Sequence, residues 1–211
     1  MFNRENIAQA QVDFTEKRYC VIDDILEDKY IQALYNIVPD LPYQLRTDTV
    51  GRFSYNHNVF VASKQKRNHD NKYVTEFNHV VTEDYSIHKP NYTFNELACA
   101  ITGFSNIVAK NLNYSYYNYE NWLSIHNDAK KWCAYIFYFN GTWEPDWGGQ
   151  LCIMDDSEKN IKESIVPYGN RLVLMDVRTD TNNAHFVSPV SISADHPRYS
   201  LSGWFYRNEN G

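Results

Sequence analysis

Apolar residues along this chain change their rhythm near residue 113. Before that point the longer periodic stretches have helical spacing. Ile25, Leu26, Tyr30, Leu34 and Ile37 recur every three to four positions behind Asp23-Asp24, a pair suited to cap a helix, and the pattern stops at Pro39. Leu97, Ile101, Phe104, Val108 and Leu112 predict a second helix over about 95–112, with Gly103 as its weak point. Tyr19-Cys20-Val21-Ile22 reads as a short strand ahead of the first helix. Between 43 and 92 no period is sustained. The polar run Ser63 to Lys72 reads as a solvated loop, and the whole of 48–89 as a variable segment that would carry substrate selection and be more mobile than the core.

After Asn113 short apolar or alternating runs take over: Tyr114–Ile125, Trp132–Phe139, Leu151–Met154, Ile161–Val166, Arg171–Val177, Ala184–Val190 and Arg198–Tyr206. Turn residues separate them, among them Asn140-Gly141, Gly148-Gly149 and Pro167-Tyr168-Gly169-Asn170. Strands so spaced suit an antiparallel sandwich or jelly roll rather than a parallel α/β sheet.

Composition sharpens this only at the edges. Of 211 residues 43% are hydrophobic, enough for a buried core, and the 17 Tyr favour strands. A formal charge of −6 gives no general attraction for nucleic acid. No stretch is long and apolar enough to span a bilayer, and Met1–Asn6 lacks an apolar leader, so a cytoplasmic protein with no membrane partner is expected. Cys20, Cys99, Cys133 and Cys152 form no C-x-x-C pair and suggest neither a zinc ribbon nor a disulfide framework.

The chemistry begins at His126-Asn127-Asp128. Side chains at i and i+2 of a strand end share a face, so an imidazole and a carboxylate can reach one ion. Alone the triplet is equally a polar strand end. Its weight comes from two residues further along the chain: His185 opens one later strand and Arg198 opens the next. Two His and one carboxylate fill three positions of an octahedral iron(II) and leave three open.

On these residues the block from His126 to Arg207 resembles the prolyl-hydroxylase branch of the 2-oxoglutarate/iron(II) oxygenases, and is similar to both the hypoxia-type and the ribosomal-protein prolyl hydroxylases. The matching motifs are the H-x-D triplet, Tyr135–Asn140, Trp143, Gly148-Gly149-Gln150-Leu151, Pro167, Arg171–Asp176, His185-Phe186-Val187 and Arg198–Phe205. The resemblance implies a mainly β, cupin-like double-stranded β-helix with flanking N-terminal helices. The core would span 113–211, with 1–112 as helical support and variable loops, in one domain of 1–211. It implies iron(II) on His126, Asp128 and His185, the distal carboxylate of 2-oxoglutarate on Arg198 and Tyr138, and Tyr117, Ile136, Ser200 and Trp204 as further co-substrate contacts. Dioxygen is the other co-substrate and ascorbate an accessory reductant. Asp128 favours hydroxylation, because related halogenases carry a small residue there. Two departures bear on substrate shape: the step from His185 to Arg198 is longer than in hypoxia-type enzymes, and Glu120 stands where family members often have Gly. His57, His69, His79, His88 and His196 lie outside the motif and are expected at the surface.

The function implied is hydroxylation of a prolyl residue in a peptide or protein, with release of succinate and CO2. The alternatives are a hydroxylase of a free amino acid or other small molecule, and a non-catalytic cupin-like metal-binding module.

Overall fold

The structure is a computed structural model, and it describes residues 1–3, 5–50, 53–61, 72–82, 93–128, 131–191, 193–194 and 196–207. Most of the polar run Ser63 to Lys72 lies outside the described residues, as do His69 and His88. Helix α1 (Ile7–Lys17) leads into β1 (Tyr19–Ile22) and α2 (Asp28–Ile37). Then come β2 (Gln44–Val50), β3 (Phe53–Val61), α3 (Lys72–Thr82) and α4 (Phe94–Thr102). The remainder is strands: β4 (Ile107–Tyr117), β5 (Trp122–His126), β6 (Cys133–Tyr138), β7 (Leu151–Met154), β8 (Ile161–Ile165), β9 (Arg171–Asp176), β10 (His185–Val187) and β11 (Arg198–Arg207).

The strands pair antiparallel in the order β1-β9-β6-β11-β4-β3-β5-β10-β7-β8, with β2 on β3. Strand β3 is where the path turns over. Its residues 58–61 pair with β4, and Tyr55 and Asn56 pair with Leu123 and Trp122 of β5. One sheet, β1-β9-β6-β11-β4, therefore faces a second, β5-β10-β7-β8, in a double-stranded β-helix.

Strict alternation along the central strands builds two cores. On β6, Cys133, Tyr135 and Phe137 point to the helices, while Ala134, Ile136 and Tyr138 point between the sheets; Leu172 and Leu174 against Val173 and Met175 do the same on β9. Phe94 of α4 is the centre of the helix-side core, with its ring 5.0–5.2 Å from those of Tyr135, Phe137 and Phe205. The second core fills the space between the sheets and reaches the mouth of the candidate site.

The helix expected over 95–112 ends at Thr102. A capping box starts it, Thr93 Oγ1 accepting from Glu96 N and Glu96 Oε2 accepting from Thr93 N. Gly103 ends it in the left-handed conformation (φ +70°), and Ile107 onwards pairs with β11 as a strand. Leu97 and Ile101 belong to the helix; Val108 and Leu112 keep its spacing by coincidence. The single run expected over Tyr114–Ile125 is likewise two strands, broken at Asn118–Asn121. Glu120 in that break has φ +62°, the conformation for which glycine is favoured. The carbonyl of Val190 accepts from its N–H at 3.1 Å and helps hold the turn. The described residues of the aperiodic stretch 43–92 contain two strands and a helix. His57 and His79 are not surface residues: His79 is buried in α3 and His57 is half-buried on β3, whereas His196 is exposed.

Candidate active site

His126 ends β5 and His185 begins β10, and the two are directly opposed in the strand register. Their ring centroids are 4.3 Å apart. Asp128, two residues past His126, turns its Oδ2 to within 3.7 Å of His185 Nε2. One ligand atom from each residue lies within 4.8 Å of the others, and among the described residues this trio is the group placed to hold a metal ion. The backbone sets the ring tautomers. His126 Nδ1 lies 2.8 Å from the Ser124 carbonyl and His185 Nδ1 2.9 Å from the Asn183 carbonyl. A carbonyl only accepts, so each Nδ1 donates and, in the neutral ring, the lone pair is on Nε2, the nitrogen a metal would take.

The electrostatics agree with that role. Burial lowers the pKa of His185, helped by the neighbouring His126, so its imidazole is held in the neutral form. Burial alone would raise the Asp128 carboxyl, but His185, His126, the Trp204 indole and Lys131 outweigh it and leave it below the ordinary value. The Lys131 ammonium sits 3.1 Å from Asp128 Oδ1 and 3.8 Å from the centre of the Trp204 ring. It occupies one carboxylate oxygen and leaves the other towards the imidazoles.

Deeper between the sheets lies Arg198, 2% exposed. Its guanidinium donates to Ser200 Oγ and Tyr138 Oη, both at 3.3 Å, and stands 4.7 and 4.9 Å from the ring centres of Tyr117 and Tyr138. Nε has no hydrogen-bond partner, and among the described residues no carboxylate neutralises the charge. A buried cation met only by neutral hydroxyls and ring faces is suited to receive an anion. Gly149 (φ +67°) makes room for it, since a Cβ there would fall 2.9 Å from Arg198 Cδ and 3.2 Å from the Trp143 ring.

His126, Asp128, His185, Tyr117, Ile136, Tyr138, Arg198, Ser200 and Trp204 all line one cavity of about 90 Å³, so every residue expected from the sequence is brought to one place. Beside it runs an open groove of about 790 Å³, lined among others by Trp122, Ile125, Phe186 and Pro189, and sharing Leu123 and Val187 with the cavity. Lys131 and the packing role of Gly149 were not anticipated. Gly149 carried a signal as half of a Gly-Gly turn; Lys131 carried none.

A family model described as the 2OG-Fe(II) oxygenase superfamily matches residues 112–206, a span that contains all nine of these residues. Over these residues the chain is similar to the 2OG-Fe(II) oxygenase superfamily. Prolyl 3-hydroxylase OGFOD1 of Mus musculus is 24% identical to this chain over 212 residues, 97% of this chain and 35% of that protein, so the chain spans about a third of the curated relative's length. Among solved structures it is similar to a prolyl-4-hydroxylase of Pseudomonas putida, with TM-score 0.66 and 16% identity over 96% of this chain and 99% of that one. It is also similar to a Trichoplax adhaerens prolyl hydroxylase in complex with a peptide fragment of the hypoxia-inducible factor oxygen degradation domain, with TM-score 0.68 and 16% identity over 97% and 92% of the two chains. The family uses iron(II), 2-oxoglutarate and dioxygen. This site fits those groups on its own geometry: two imidazoles with Nε2 lone pairs beside one carboxylate, and in the same cavity a guanidinium that no carboxylate neutralises among the described residues.

Proposed function

We propose that this oxygenase hydroxylates a prolyl residue in a peptide or protein, with His126, Asp128 and His185 holding iron(II) and Arg198 holding the distal carboxylate of 2-oxoglutarate. The observation that carries the site assignment is Arg198: a buried guanidinium with no counter-ion among the described residues, lining the same cavity as the three candidate metal ligands. Bound together, iron(II), 2-oxoglutarate and dioxygen supply the oxidising chemistry that yields succinate and CO2 and inserts one oxygen atom into a substrate C–H bond.

The chain's own residues bind, orient and exclude. Ser124 and Asn183 fix the two imidazoles through their carbonyls, and Lys131 holds Asp128 by one oxygen so that the other is presented. Tyr138 and Ser200 set the plane of Arg198, so that its fork can meet a carboxylate in two-point geometry. Leu123, Ala134, Ile136, Leu151 and Val187 give the cavity an apolar wall that keeps bulk water from the reacting centre.

Two things support a peptide rather than a free amino acid. The relatives named above are prolyl hydroxylases, one of them in complex with a peptide fragment. The groove beside the cavity, with the half-buried Phe186 and the exposed Ile125 on its wall, offers an extended chain an apolar surface that a single amino acid does not need. The test is substrate-stimulated succinate release with a panel of proline-containing peptides, free proline and methylated oligonucleotides. Stimulation by at least one prolyl peptide, with a product one oxygen atom heavier, is expected. Stimulation by free proline alone moves the assignment to a small-molecule hydroxylase, and stimulation by oligonucleotides alone overturns it.

A further inference from the structure

His57 lies on β3, outside the block that matches the family, at the seam where the two sheets join. It sits between Asn56, which pairs with β5, and Asn58, which pairs with β4. Its imidazole stacks on the ring of Tyr117, with centroids 4.7 Å apart and planes within 4° of parallel. The Arg198 guanidinium carbon is 4.7 Å from the centre of the same ring. Tyr117 is therefore the shared member of a His57–Tyr117–Arg198 stack. It is 4% exposed, and among the described residues its hydroxyl makes no hydrogen bond, so ring contacts set its plane. The stack suits a neutral imidazole, which adds no second positive charge next to Arg198. Burial, followed by the charges of Arg198 and Arg46 and by His126, keeps His57 in that form and lowers its pKa to about 4.

We propose that His57 is a positioning residue for the co-substrate: a flat, neutral plate against Tyr117 that fixes the phenol ring and, through it, the Arg198 guanidinium that receives 2-oxoglutarate. The inference rests on the reading of Arg198 as the carboxylate anchor. His57 would not touch the reacting atoms. What the stack asks of position 57 is a planar ring, not a proton donor.

Calorimetric titration of 2-oxoglutarate into the manganese(II)-loaded chain, without turnover, tests this. His57→Ala and His57→Leu should each weaken 2-oxoglutarate by about 3- to 10-fold, the range of one lost ring–ring contact. His57→Phe should stay within about 2-fold of wild type, because it keeps the plate. Manganese(II) affinity should be the same in all four proteins, a result that general loosening of the fold would not give. Leucine guards against a misfolded alanine variant, since it fills the space without a ring face. Wild-type 2-oxoglutarate affinity in the leucine variant overturns the proposal, as does a phenylalanine variant as weak as the leucine one. Arg198→Ala is run beside them: if it alone loses 2-oxoglutarate, the anchor stands and His57 is displaced from this role. If it binds as wild type, the anchor reading itself fails.

Discussion

Replacing Arg198 with methionine separates what this residue costs the fold from what it does for the ligand. The guanidinium is 2% exposed, and moving a cation out of water costs several kcal/mol. Against that stand two hydrogen bonds to the hydroxyls of Ser200 and Tyr138, each at 3.3 Å, and two ring faces at 4.7 and 4.9 Å. A charged hydrogen bond of good geometry returns about 1.5–3 kcal/mol and a cation–ring contact about 0.5–2 kcal/mol. At 3.3 Å the bonds fall at or below the lower end of that range, so gains and cost nearly cancel. Methionine is of similar length and apolar. The ligand-free chain should therefore be as stable as wild type, or more stable by about 1–3 kcal/mol. For a chain of this length each kcal/mol moves Tm by about 2–4 °C. With 2-oxoglutarate the sign reverses, because losing one partner of a buried charge pair costs about 2–5 kcal/mol, or roughly 30-fold to several-thousand-fold in affinity. Thermal unfolding of both proteins with manganese(II), with and without 2-oxoglutarate, reads both effects. The variant should start level or higher and lose the ligand-induced rise. A variant that melts far below wild type without ligand, yet keeps the full rise with it, would refute the reasoning.

Gly149→Ala should cost about 1 kcal/mol from its left-handed backbone alone and, through the crowding of Arg198, weaken 2-oxoglutarate by more than it weakens manganese(II); calorimetry that shows both unchanged contradicts the packing argument. Stability should also fall as pH drops from about 6.5 towards about 4. His57 and His185 both titrate lower in the folded chain than the ordinary histidine value, so the unfolded state binds more protons across that window and stability is lost on acidification. Urea midpoints at about pH 7.5 and 5 measure this, and His57→Phe should flatten the difference; a midpoint that rises towards pH 5 would contradict the sign.

The second half of the chain is legible because its signals are local. Most of strands β6 to β11 are short, largely apolar runs bounded by turn residues, and His126, His185 and Arg198 stand at strand ends, with Asp128 two residues beyond one. The first half is less legible for physical reasons. Helix α4 and strand β4 share apolar residues at compatible spacing, so the boundary at Gly103 depends on a backbone conformation rather than on hydrophobicity. Helix α1 buries only Ala10 and Phe14, too narrow a stripe to read. Strand β3 pairs with three others, and its place at the seam follows from long-range pairing. For the same reason His57 reads as a surface residue in the sequence and as part of the cavity's support in the fold. Lys131 is one lysine among many until Asp128 and Trp204 are placed around it.

Whether His126, Asp128 and His185 jointly hold the metal on which 2-oxoglutarate turnover depends is tested most directly by anaerobic iron(II) titration followed by succinate assay in air. The proteins compared are the wild type, His126→Ala, Asp128→Ala and His185→Ala. Folded variants are expected, with iron affinity lowered by at least about 10-fold and succinate formation abolished. Any one of the three that binds iron and turns over 2-oxoglutarate at the wild-type rate contradicts the assignment.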